Sequence, residues 1–191
     1  MTSLLVVCPF ALFSGFGRFA RSFQFFAQLF AMIPGLPGDY LRVAYYVLTL
    51  SRCALASRVS FGSFFAQSSS TVGGGVYIGA YCILGSCNIG DRTQIASHVQ
   101  ILSGGHQHSR AANGRILGAN ETKFTPVTIG EDCWIGASAI VMADVGPRTT
   151  VGAGAVVTRP MPTGVVAVGN PARILECASQ EIARKPTAVN S

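Results

Sequence analysis

The sequence predicts a mainly β chain: a solenoid of six-residue units, preceded by an apolar helical extension and interrupted once by a long loop. Three observations predict it. An aliphatic residue followed by a small one recurs at Ile78-Gly79, Leu84-Gly85, Ile89-Gly90 and Ile95-Ala96, in steps of 6, 5 and 6, with Ile101 another 6 residues on. The beat returns further along, at Ile129-Gly130, Ile135-Gly136, Val141, Val145, Val151-Gly152 and Val157. The chain holds 22 Gly and is 49% hydrophobic but only 12% charged. That suits short buried strands joined by tight turns and excludes a disordered chain. No six-residue unit buries its aliphatic residue alone, so the units must stack.

The units Ile78-Gly79-Ala80-Tyr81-Cys82 and Ile135-Gly136-Ala137-Ser138-Ala139 resemble the repeat of the hexapeptide-repeat acyltransferases. In that family an aliphatic residue precedes Gly or Ala, with a small or aliphatic residue at the fifth place. The resemblance covers residues 59–175, with residues 103–126 as an excursion loop. It implies a left-handed parallel β-helix, triangular in section, assembled as a homotrimer with active sites between subunits. It also implies transfer of an acyl group, usually acetyl, from coenzyme A to a hydroxyl or an amine.

A chain of 191 residues holds one domain with an appendage. Residues 1–57 read as an apolar and basic helical extension, 58–175 as the β-helix, and 176–191 as a C-terminal tail. Residues 4–13 are apolar, but no basic residue precedes them and no clear cleavage site follows, so a secretory signal is weak. They are also too short to cross a bilayer before Arg18 and Arg21, since about 20 residues are needed.

Phe16, Phe19, Phe23, Phe26 and Phe30 step by 3, 4, 3 and 4, which puts five rings on one helical stripe. Such a helix either packs its rings on the β-helix or rests on an acidic membrane leaflet, with Arg18 and Arg21 beside them. Pro34-Gly35-Leu36-Pro37-Gly38 ends it, and Asp39 is placed to cap a second helix over residues 40–50. The segment 34–50 resembles the lead-in of acyltransferases from polysaccharide and lipopolysaccharide clusters. Residues 52–75 read as a transition into the coil, with Val59 and Val72 inward. After Val157, Thr158-Arg159-Pro160-Met161-Pro162 is expected to stop the repeat.

The net charge of +6 is carried mostly by Arg, with Lys123 and Lys185 the two lysines. The basic residues are dispersed and form no nucleic-acid motif, so an anionic cofactor or a membrane surface fits better than DNA. Cys8, Cys53, Cys82, Cys87, Cys133 and Cys177 form no C-x-x-C pair. Reduced thiols in a cytoplasmic protein are the expectation, with association at the inner face of the membrane left open.

The chemistry is expected at the loop mouth. In the resembling family a catalytic His ends a strand there, often after a small polar residue and Gly. Ser103-Gly104-Gly105-His106 takes that place, which makes His106 the general base. An imidazole with a pKa near 6.5 can take the proton of an attacking hydroxyl at neutral pH. His108 is the rival base, and Glu121 or a backbone carbonyl would orient the ring. His98, His106 and His108 together raise a zinc site. Their spacing does not match that of the γ-class carbonic anhydrases, which are also hexapeptide β-helices, and no metal is expected.

The resemblance further implies a donor groove between coils, with acetyl-CoA as acyl donor. Cys133-Trp134-Ile135-Gly136-Ala137 is similar to the family's Trp-Ile-Gly segment, so Trp134 would wall the site. Ala137 and Ala153 match places where a small side chain admits the pantetheine arm. Thr158 and Arg159 match a Thr-Lys pair with Arg for Lys. Arg173, after Gly169-Asn170-Pro171-Ala172, matches the terminal basic residue, and its guanidinium can grip phosphate oxygens in pairs. The galactoside and maltose acetyltransferases carry an extra acceptor-binding stretch before the catalytic His, which Leu84-Gly85-Ser86-Cys87-Asn88-Ile89 is too short to contain. Xenobiotic acetyltransferases share the Gly-Asn-Pro-Ala ending. The expected reaction is O-acetylation of a sugar or of a polysaccharide or lipid-linked precursor, by direct transfer in a ternary complex. N-acetylation of an amino sugar or small amine, and a non-catalytic assembly or membrane scaffold, are the alternatives.

Overall fold

In the computed structural model, residues 2–103, 111–116, 118 and 125–177 are described. Three helices lead, α1 (Thr2–Phe13), α2 (Ala20–Ala31) and α3 (Gly35–Thr49). The chain then winds through coils of very short strands. The first coil is β1 (Arg52–Cys53), β2 (Arg58–Val59) and β3 (Phe64–Phe65); the second is β4 (Thr71–Val72), β5 (Tyr77–Ile78) and β6 (Ile83–Leu84). The third is β7 (Cys87–Ile89), β8 (Gln94–Ile95) and β9 (Gln100–Ile101); the fourth is β10 (Val127–Ile129), β11 (Trp134–Ile135) and β12 (Ile140–Val141). The fifth has β13 (Thr150–Val151) and β14 (Val156–Val157), and β15 (Val165–Val168) and β16 (Arg173–Cys177) close the domain. The first four coils each give one strand to each of three parallel sheets, the fifth gives strands to two of them, and among the described residues only β16 pairs antiparallel, against β15. The architecture is a left-handed parallel β-helix.

The repeat dictates the core. In every unit the aliphatic residue points into the prism and stacks on its counterpart one coil away. Val59, Ile78, Ile95, Ile135, Val151 and Ala167 make one such column, and Phe65, Leu84, Ile101, Val141 and Val157 another. These residues are buried, and each large one contributes roughly 1.5–3 kcal/mol by leaving water. Where Gly follows a rung, the coils approach closely. A Cβ on Gly136 would lie 2.5 Å from the backbone nitrogen of Ala153.

The corners bend through left-handed backbone. Tyr81, His98 and Ser138 (φ 59°, 61° and 59°) form one corner column, and Arg92, Asp132 and Arg148 (φ 58°, 55° and 55°) another. Each donates its backbone N–H to the coil before it, as His98 does to Ala80 O at 2.8 Å. The His98 ring stacks on Tyr81, with centroids 5.3 Å apart. In the other column Arg92 grips Asp132 through two contacts of 2.7 Å. That pairing holds the Asp132 carboxyl below its usual range.

The helices cap the first coil. α2 and α3 pack on β1, β2 and β3, and α1 lies over α3 and α2 as the outer layer. Phe23, Tyr45, Tyr46 and Phe65 interlock across the junction, Tyr46 and Phe65 edge to face at 5.0 Å. Arg42 is buried there and joins three elements. Its Nε donates to Val59 O (2.8 Å), and its Nη1 donates to Phe30 O (3.0 Å) and Ile33 O (2.8 Å) at the end of α2. Its Nη2 pairs with Asp39, which also pairs with Arg58 at 2.8 Å. These donations fasten the carbonyls at and just past the C-terminal end of α2, where the helix dipole favours a cation.

Several expectations are corrected. Asp39 caps no helix: α3 starts at Gly35 and tolerates Pro37 in its first turn, so Asp39 lies inside it as the partner of Arg42. The five-ring stripe splits, because Gly15, Phe16 and Gly17 all have left-handed φ and break the helix ahead of Ala20. Phe23 and Phe30 pack inward, while Phe16 and Phe19 are exposed. Residues 52–75 are no transition, since β1 to β3 form a complete coil with Val59 and Val72 buried inside. The repeat also runs past Pro162: Met161 bridges to Val145, and β15 pairs with β13.

Candidate active site

The excursion leaves from the third coil. Gln94 pairs with Trp134, 40 residues on, whereas Tyr77 pairs with Gln94 after only 17. The extra chain departs after β9, where Ser103 is anchored. Its buried Oγ accepts the N–H of Ser86 at 2.8 Å, and a Cβ on Gly85 would come within 2.5 Å of that oxygen. His106, His108 and Glu121 lie outside the described residues. His98 stands at the opposite end of β9, in its left-handed corner, with its ring on Tyr81.

The expected donor residues form two groups at the two ends of one sheet face. Ile101, Val141 and Val157 stack in one column, so Ser103, Ala143 and Arg159 each follow it by two residues at one corner. Coils lie about 4.8 Å apart, which puts Arg159 about 10 Å along the prism from the loop mouth. Thr158 and Arg159 are both exposed there. At the other end of the face, Ala137 and Ala153 are exposed and stacked, and Gly154 donates its N–H to Ala137 O at 2.8 Å. The terminal turn meets the same corner, because Ala172 donates to Val156 O at 2.8 Å. Arg173 follows it, exposed and paired with Val168 on β15.

Trp134 lies around the edge, on the neighbouring sheet. It stands between Gln94 and Thr150, with 59% of its surface exposed. Between the two corners, the outward residues of β12 and β14 are Ile140 and Val156, both half-buried. Five residues separate Ala153 from Thr158, a span of about 17 Å at 3.3 Å per residue. The geometry is an apolar floor with a guanidinium at each end. It suits a long ligand with an apolar arm and anionic groups. The floor residues were not singled out from the sequence, although aliphatic side chains at outward places of the repeat were the available signal. Among the described residues, no group of three His, Cys, Asp or Glu is placed to hold a metal ion.

Comparison with known proteins agrees with this architecture. Residues 126–159 match the family model described as the hexapeptide repeat of succinyl-transferase. The chain is 35% identical over 91 residues to the galactoside O-acetyltransferase of Escherichia coli (strain K12), covering 46% of this chain and 42% of that protein. It is 34% identical over 94 residues to a protein of the same strain named as a candidate colanic acid biosynthesis acetyltransferase, WcaF, covering 48% of each. The chain thus spans less than half the length of these relatives. Among solved structures, a galactoside acetyltransferase in complex with coenzyme A superposes with a TM-score of 0.63 at 19% identity, over 91% of this chain and 90% of that one. By repeat and by fold, the chain is a hexapeptide-repeat left-handed β-helix, the architecture of that acetyltransferase.

Proposed function

We propose that the protein is a coenzyme A-dependent acyltransferase that uses acetyl-CoA to O-acetylate a sugar, or a polysaccharide or lipid-linked saccharide precursor. One observation carries the reading: the corner where Ser103 leads into Gly104-Gly105-His106 lies in line with Thr158 and Arg159, beside the apolar floor of Ile140 and Val156. The relatives named above are named for O-acetylation of galactosides and for colanic acid biosynthesis, which favours a carbohydrate acceptor.

In this reading the pantetheine arm lies along the floor past Ala137 and Ala153, with Trp134 walling the site. Arg159 and Arg173 hold the phosphates in charge-assisted hydrogen bonds. His106 takes the proton of the acceptor hydroxyl as its oxygen attacks the thioester carbon. The C–S bond then breaks, and the imidazolium returns the proton to the departing thiolate. Both substrates are bound together and no acyl-enzyme forms. Three chains pack as a homotrimer, with the sites at their junctions.

The test is a coenzyme A-release assay with acetyl-CoA and a panel of free sugars, nucleotide sugars, oligosaccharides, amino sugars and small amines. Release with hydroxyl acceptors and an ester product supports the reading. Release only with amines transfers the assignment to N-acetylation. A protein that binds no coenzyme A is a scaffold, and the reading is wrong.

A further inference from the structure

We propose that the helical cap docks the protein onto an anionic lipid surface through the outer face of α1 and the turn that joins it to α2. The inference stands on the cap alone and is independent of the acyl-transfer reading.

α1 contains no charged residue. Its buried side is Val7 and Ala11, and it lies on α3 and α2 as the layer farthest from the coils. Its other side carries Leu5 and Phe13, which are 75% and 76% exposed, together with exposed Leu12. Phe16 and Phe19 in the turn after α1, and Phe25 and Leu29 on α2, are exposed as well. A helix that is apolar all round is at rest only when covered all round. So many large apolar side chains exposed on one cap mark a site of interaction.

Charge identifies the occupant. Before Asp39 the sequence has no Asp or Glu, and its charged side chains are Arg18 and Arg21. Both are exposed, within the Phe16–Phe25 stretch. Exposed apolar rings interleaved with Arg18 and Arg21, in a stretch without Asp or Glu, match acyl chains beneath anionic headgroups. They do not match a second copy of the same face, which would set Arg against Arg. α1 and α2 have 12 residues each, and no described helix is long and apolar enough to cross a membrane. The cap therefore lies in the interface.

The test is flotation of the full chain with vesicles of phosphatidylglycerol and phosphatidylcholine, and with phosphatidylcholine alone, at low and high salt. The expected result is flotation on the anionic vesicles, weakened by salt and at least tenfold weaker on phosphatidylcholine. Phe13→Ser with Phe16→Ser, and separately Arg18→Glu with Arg21→Glu, should each lower binding at least tenfold with unchanged thermal unfolding. Wild-type protein that stays at the bottom of the anionic gradient overturns the proposal. So does concentration-dependent self-association in analytical ultracentrifugation that Phe13→Ser abolishes without any flotation, because the face would then join copies of the chain.

Discussion

Ile101 and Val157 stand in one inward column, with Val141 between them. That alignment sets Arg159 over the corner where Ser103 leads out of the coil. Replacing Arg159 with Ala removes one cationic end of the proposed donor floor, and replacing Arg173 removes the other. A hydrogen bond to a charged group is worth about 1.5–3 kcal/mol, so each change should raise KM for acetyl-CoA by roughly 10- to 100-fold, with a smaller effect on kcat. Initial-rate kinetics at saturating acceptor check this. An unchanged KM in both variants removes these residues from donor binding.

The approach of Gly136 to Ala153 gives a packing prediction. A Cβ at Gly136 would meet backbone at 2.5 Å, whereas one at Gly74 meets nothing within 4 Å. Overpacking of this kind costs about 1–3 kcal/mol. Gly136→Ala should lower the Tm by several degrees, while Gly74→Ala leaves it within about 1 degree. Differential scanning calorimetry distinguishes the two.

Arg42 ties the cap to the first coil. Its loss leaves Val59 O, Phe30 O and Ile33 O without this donor and strips Asp39 of a buried partner. Arg42→Met should lower stability by about 3–5 kcal/mol, as breaking a buried pair does. Arg58→Met removes only the exposed partner of Asp39 and should cost less than about 1 kcal/mol. Urea unfolding followed by tyrosine fluorescence compares them.

The thiols should separate by burial. Burial pushes Cys53 and Cys87 up to about 12, so both stay protonated at pH 8 in the folded state. The thiolate is the reacting species. Cys8 is exposed on α1 and should react first with a thiol reagent. Cys53 and Cys87 should react at least 100-fold more slowly until the chain is unfolded. Labelling followed by peptide mass spectrometry reads the order.

The sixfold rhythm made most of the prism legible, because most inward places are branched aliphatic and many are followed by Gly or Ala. The first coil keeps the same step, through Cys53, Val59 and Phe65. Only Val59 reads as inward there, because Cys53 and Phe65 stand where the later coils use aliphatic residues. Met161 hid the continuation past Pro162 in the same way. The cap was harder to read. Periodicity alone joined Phe16 to Phe30 in one helix, but Gly15 and Gly17 with left-handed φ made a turn that the spacing of the rings does not reveal. Asp39 looked like a cap because a Pro-Gly cluster precedes it, yet its role depends on Arg42 and Arg58, one of them 19 residues away. In the candidate site, Ala137 and Ala153 are 16 residues apart, which is the local coil step, so their stacking was implicit in the repeat. The floor made by half-buried Ile140 and Val156 was legible only as aliphatic side chains at outward places of the repeat, and spacing does not say which outward face takes a ligand.

The most direct measurement is coenzyme A release from acetyl-CoA at saturating saccharide acceptor, by the wild type and by His106→Ala, with donor affinity measured in parallel by calorimetry. General-base catalysis contributes about 10²–10⁴-fold. The variant should therefore lose at least 100-fold in kcat while its affinity for the donor stays within about threefold. Undiminished release by His106→Ala would contradict the account.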